Sequence, residues 1–226
     1  MPKLLMIETS TRNCSVAISE GERLLYAIDD VSEKYSHAER LHRHIAGLLE
    51  RAGWQYKDLD VVAVGSGPGS YTGLRIGVSA AKGFAYVLKI PVVTVMSLET
   101  LARGVRTEKG FIVPMIDARR MEAYTAVYDA AYRQVREVEA EILDEHSFAG
   151  YLDKTKVYFA GDAVPKFEKI RSHANAVFTD IRYPSAKDML PVALEKIKHR
   201  EFEDTAYFEP YYFKDFIVKR KKKPLI

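Results

Sequence analysis

The chain has 226 residues, 47% of them hydrophobic and 29% charged, the composition of a folded globular protein and not of a disordered or fibrous one. Of its net charge of +3, the run Lys219-Arg220-Lys221-Lys222-Lys223 carries five charges, so the rest of the chain is two charges negative and shows no basic nucleic-acid-binding body. No apolar run approaches the ~18 residues of a membrane-spanning helix and the first ten residues carry no cleavable signal, so a cytoplasmic protein with no membrane contact is expected; the lone Cys14 excludes an internal disulfide.

In chain order, the short runs 3–9, 14–19 and 23–28 are split by polar residues and Gly21, which predicts a three-stranded meander with Cys14 as a small core side chain. Ser36 and Glu39 supply the two ends of a capping box. Ala38, Leu41, Ile45, Leu48, Leu49 and Ala52 then fall on one face, which predicts a helix over 36–52. The buried run 61–64, the loop Gly65-Ser-Gly-Pro-Gly-Ser-Tyr-Thr-Gly73, a helix to Leu88 and a second buried run after Pro91 read as a parallel crossover unit. On that helix Arg75, Ser79, Lys82, Tyr86 and Lys89 form a polar stripe. Gly73, Gly77, Ala81 and Ala85 form a ridge of small residues, with Ile76, Ala80, Phe84 and Val87 on one side and Leu74, Val78 and Leu88 on the other. This apolar belt is wider than packing on one sheet requires. One side is expected to face its own sheet, and the other the helix over 36–52, a partner chain, or both.

The second half repeats the layout. Met6-Ile7-Glu8 recurs as Met115-Ile116-Asp117, and Val16-Ala17-Ile18 precedes Thr125-Ala126-Val127 by the same offset of 109 residues. Val61–Gly65 recurs as Val157–Gly161, and a helix over 186–199 closes the second copy. Three matches in order predict an α/β fold of two similar lobes built from a duplicated β-β-β-α-β-α unit around a cleft, the plan of actin, Hsp70 and sugar kinases. The lobes are expected at 1–105 and 106–215, followed by a basic tail, 216–226, that is either a solvated end or an RNA contact.

Gly67 and Gly69, between a strand and a helix, are candidates to cradle a phosphate, although Ser70 stands where the third glycine of a dinucleotide fingerprint belongs; a glycine-rich packing turn fits equally well. Asp117, in the turn Asp117-Ala-Arg-Arg120, is the acidic candidate of the second lobe, and its two arginines suit an anion or simple solvation. His37, His42 and His44 do not make a metal site: His37 and His44 lie about 10 Å apart along the helix axis and His42 sits on its other edge. No nucleophile with an evident base is present.

The run Val64–Gly77, continuing through Ala81-Lys-Gly83, resembles the TsaB family, and the resemblance extends to Ile7–Thr11, Ser15–Ala17, His37–Leu41, Pro114–Arg120 and Pro210–Lys214. Glu8 departs from the family, which usually has aspartate there. The resemblance also reaches the catalytic paralogue TsaD, whose metal ligands form an HxxxH pair; Ser97 and Leu101 occupy those positions here. It implies a non-catalytic subunit for threonylcarbamoyladenosine formation on tRNA, partnered by a TsaD-like enzyme and a TsaE-like ATPase and reaching tRNA through the complex. No tightly bound cofactor and at most weak nucleotide binding are implied. The alternative is a free-standing ATPase or kinase using the cleft. Leu41, Ile45, Leu74, Gly77, Val78, Ala81 and Ala85 are the residues expected at the TsaD contact, and at a homodimer contact when the chain is alone.

Overall fold

The computed structural model describes residues 1–31 and 37–213. The alternating start of the chain folds as an antiparallel meander of β1 (Lys3–Glu8), β2 (Asn13–Glu20) and β3 (Arg23–Val31). β1 also pairs in parallel with β4 (Val61–Gly67), and β4 with β5 (Val92–Met96), giving the order β3-β2-β1-β4-β5. Two crossover helices, α1 (His37–Ala52) and α2 (Tyr71–Leu88), lie on one face of this sheet. Ser70 caps α2, its Oγ accepting the Gly73 amide at 3.2 Å, and Lys89 ends it in the left-handed conformation. The capping box expected at the start of α1 involves Ser36, which lies outside the described residues.

The second half builds β6 (Phe111–Asp117), β7 (Glu122–Asp129), β8 (Gln134–Ile142), β9 (Val157–Ala160) and β10 (Ala176–Phe178), in the equivalent order β8-β7-β6-β9-β10. The duplication therefore holds, with a fifth strand per copy beyond the repeated unit: β5 is the buried run after Pro91, while β10 is three residues long and gives no periodic signal. The Val16-Ala17-Ile18 match keeps its faces, since Val16, Ile18 and Val127 turn to the crossover helices and Ala17 and Ala126 turn away; the Met6–Met115 and Val61–Val157 matches do not. Met6 packs with Ala186 and Met189 on one face of its sheet, whereas Met115 packs with Phe159 and Phe167 on the opposite, crossover-helix face of its own. Glu8 pairs with Ser15, but Asp117 with Ala123, so the second hairpin is one residue tighter.

The helical layers are exchanged between the halves, which corrects the expected boundary at 105/106. On the crossover face of the second sheet, short helices α4 (Ala149–Leu152) and α5 (Val164–Glu168) enclose a T-shaped cluster of Phe148, Phe159 and Phe167. Its other face is covered by α3 (Ser97–Gly104), from the first half, through Leu98, Leu101 and Ala102 on Ile112, Ile116, Ala126 and Tyr128. Conversely, a 3-10 turn (Ala186–Met189) and α6 (Leu190–His199) cover the bare face of the first sheet at Leu4, Met6, Ala63 and Val93. The helix over 186–199 forms as expected but closes the first lobe. A sheet whose crossover helices occupy one face needs a second layer on the other, and in each lobe the opposite half supplies it.

The chain after α6 returns along the first lobe. The Glu203 amide donates to Val92 O at 2.9 Å and the Tyr211 amide to Ser66 O at 2.7 Å, which occupies part of the exposed edge next to β5. The expected basic tail, 216–226, lies outside the described residues.

Candidate functional site

At the carboxyl ends of β1 and β4 the chain fills its own junction. The Glu8 side chain is fully buried; Oε1 accepts the Ser10 amide at 2.7 Å and Oε2 accepts Ser97 Oγ–H at 2.9 Å. Ser97 Oγ in turn accepts the Gly67 amide at 3.3 Å. Burial pushes the Glu8 carboxyl above its ordinary range, and hydrogen bonds from Ser10, Ser97 and Thr9 offset this only in part. The glycines face the same chain. A Cβ on Gly65 would strike the Glu8 carboxyl, one on Gly69 the Ser10 carbonyl, and one on Gly67, at φ +105°, would lie 2.9 Å from the Tyr211 carbonyl. These close approaches are what a glycine-rich packing turn requires at Gly65, Gly67 and Gly69.

Asp117 is committed as well. Its Oδ1 accepts the Arg119 amide at 2.8 Å and Lys166 Nζ at 2.6 Å, while its own amide donates to Asp162 Oδ1 at 2.7 Å. Burial raises the Asp162 carboxyl to about 6, countered in part by the Asp117 amide and the Lys166 charge. The histidines have separate partners: His37 Nε2 sits 2.7 Å from Thr11 O, His44 Nε2 2.8 Å from Asp30 Oδ2, and the His42 ring packs 5.9 Å from that of Phe84. Cys14 is core, its thiol pushed up to about 11 by burial. Ser97 is bound to Glu8, and Leu101 is buried among second-lobe residues.

A groove of about 700 Å³ runs along α2, opened between it, α1 and the Tyr56–Asp58 turn. Ala38, His42, Tyr56, Ile76, Phe84 and Val87 line it; the Tyr56 and Phe84 rings stack at 5.6 Å, and Val87 is 75% exposed beside Tyr86 at 83%. The groove lies between the two helices named for the contact, but the seven residues named there do not line it. Leu41, Ile45, Leu74, Gly77, Val78, Ala81 and Ala85 are all buried inside the chain. The small-residue ridge faces β1: a Cβ on Gly73 would meet the Thr9 carbonyl, and one on Gly77 would meet Thr9 Oγ1. Leu74 and Val78 go inward with the ridge, and the Ile76-Ala80-Phe84-Val87 flank borders the groove.

The polar stripe of α2 is partly covered too. Arg75 Nε donates to Tyr212 Oη at 3.1 Å and its guanidinium lies 4.0 Å over the Tyr71 ring, while Lys82 donates to Ala206 O and lies 4.6 Å over Phe208. The tyrosines and phenylalanines of 207–213 gave no periodic signal that would have placed them there. Tyr56 was likewise missed, because a single turn of 3-10 helix has no sequence period.

The family described as TsaD, tRNA N6-adenosine threonylcarbamoyltransferase, matches residues 32–222. The chain is 28% identical over 228 aligned residues to the tRNA threonylcarbamoyladenosine biosynthesis protein TsaB of Escherichia coli K12, covering 97% of each chain. It is 38% identical to TsaB of Bacillus subtilis 168 over 125 residues, 55% of this chain and 54% of that one. The solved structure of YeaZ from Pseudomonas aeruginosa superimposes with a TM-score of 0.83 at 28% identity, covering 94% of this chain and 100% of that one. The ethanolamine utilization protein EutJ of Carboxydothermus hydrogenoformans, at 11% identity and a TM-score of 0.52 over 86% of this chain and 90% of its own, shares the fold alone. The chain belongs to the TsaD family, among its TsaB paralogues.

Proposed function

We propose that the chain is a non-catalytic subunit in the formation of threonylcarbamoyladenosine on tRNA, and that the α1–α2 groove receives helices of a TsaD-like catalytic subunit. The observation that carries this reading is the contrast between the glycine-loop junction and the groove. The junction beside Glu8 is filled by Glu8, Ser10 and Tyr211, whereas the groove is open and lined mainly by apolar side chains. An apolar groove bordered by a helix with exposed Val87 and Tyr86 is a surface of the kind that association hides. In the absence of the partner, a second copy of the chain covers the same groove. A TsaE-like ATPase joins the pair, tRNA is met through the complex, and the work is done in the cytoplasm.

No tightly bound cofactor is needed for this role. The purified chain alone hydrolyses no ATP above background and modifies no tRNA. Adding TsaD-like and TsaE-like chains, threonylcarbamoyl-adenylate and tRNA yields modified nucleoside, which nucleoside mass spectrometry reads. Turnover by the chain alone would establish the free-standing ATPase or kinase instead.

A further inference from the structure

Arg40, Arg103 and Arg136 each close onto a carboxylate within 3 Å. Arg119 and Arg120, at the tip of the β6–β7 hairpin, do not. Both are exposed, and neither guanidinium has a hydrogen-bond or ion-pair partner among the described residues. Their φ angles are +75° and +52°, two consecutive left-handed residues in a region where glycine or asparagine is the low-strain choice.

The turn is held from beneath. Lys166 Nζ donates to Asp117 Oδ1, to Arg120 O at 2.9 Å and to Glu122 O; the Leu143 amide donates to Met121 O at 2.7 Å; and the Glu122 amide donates to Arg119 O at 3.1 Å. The acids of the turn serve its backbone: Asp117 holds the Arg119 amide, and Asp162 holds the Asp117 amide. The result is a rigid mount presenting two unneutralised planar forks, the side-chain type that suits phosphate oxygens.

Outside the run Lys219–Lys223 the chain is two charges negative, so the two arginines are not part of a generally basic body.

We infer that the Arg119-Arg120 turn contacts the sugar-phosphate backbone of the tRNA in the assembled complex. This rests on the proposed role in tRNA modification. Phosphate contacts of this kind position an RNA without reading its sequence, which is what a non-catalytic subunit has to contribute.

The test uses the full-length chain assembled with its TsaD-like and TsaE-like partners, with tRNA affinity measured at several salt concentrations. In an Arg119→Asn/Arg120→Gly variant both replacements suit positive φ, so the melt and co-elution with the partners stay as in the wild type. The tRNA affinity falls roughly tenfold, and the log–log salt slope becomes shallower by about 2, one for each lost phosphate contact. An Arg119→Lys/Arg120→Lys variant recovers most of that slope. Wild-type affinity and slope in the Asn/Gly variant overturn the inference. Loss of partner co-elution also overturns it, by assigning the turn to a protein contact. If the wild-type chain fails to co-elute at all, the subunit role itself is wrong, and that result is seen before any variant is made.

Discussion

Glu8 and Val78 show how single residues are fixed by what they face. Glu8 is buried with its carboxyl raised above 4.5, so the sign of its pH effect is set. Its favourable contribution is complete at low pH and is lost as pH rises from 4.5 through the raised value, because the unfolded chain ionises first. Glu8→Gln keeps an acceptor for the Ser10 amide and removes the titration. The variant is therefore predicted to melt at or above the wild type at pH 8 and to show a flatter melt-against-pH profile; an unchanged profile would place the pH dependence elsewhere. Val78 is 4% exposed, so Val78→Arg buries an unpaired charge and lowers stability by roughly 4 kcal/mol or more, which a thermal melt detects as collapse. Gly83 is the opposite case: a Cβ there meets nothing within 4 Å. Gly83→Arg changes stability by less than about 1 kcal/mol, since removing a helix glycine offsets any new cost. The sequence pattern marked α2 as over-apolar, and the flank named for a contact, Leu74 and Val78, is the one that turns inward. That depends on the backbone of β1 approaching Gly73 and Gly77, a contact between segments far apart in sequence.

At the scale of elements, the five strands and the two long helices of the first half were legible, because the strands are short apolar or alternating runs, α1 and α2 are long and amphipathic, and the glycine loop punctuates them; the eight-residue α3 was not read from the pattern. The second half was less so. α4 and α5 span four and five residues, and β10 three, too short for any period to show. The return segment after α6 was missed as an element because its work is done by isolated contacts: Glu203 to Val92, Lys82 to Ala206 and Phe208, Tyr211 to Ser66, and Arg75 to Tyr212. Those contacts make a prediction. Truncation after Phe202 removes them together, at roughly 1 kcal/mol for each hydrogen bond, and lowers the melt by several degrees or more. Truncation after Val218 removes only the basic end and leaves the melt unchanged. Equal melts for the two truncations would show that the return segment contributes nothing to the fold.

For the whole molecule, the exchange of α3 and α6 ties the lobes into one cooperative unit. A fragment of residues 1–105 keeps the first sheet but lacks α6, so Leu4, Met6, Ala63 and Val93 face water. Each half alone is predicted to be unfolded or aggregated, and the intact chain to melt in a single calorimetric transition with equal van't Hoff and calorimetric enthalpies. Two separate transitions would contradict the exchange. This feature was invisible in the sequence because the repeat marks which residues are equivalent, not which sheet a following helix covers. The candidate site was legible to the same depth: α1 and α2 could be read as helices, while the groove between them and the filling of the junction by Glu8 and Tyr211 needed the three-dimensional approach of distant segments. The most direct test of the groove's role is tRNA modification and co-elution with the TsaD-like subunit for the Gly83→Arg/Val87→Arg variant, beside its melt. The account predicts a near-native melt with co-elution and modification both lost; a variant that still binds the catalytic subunit and supports modification at the wild-type rate would contradict it.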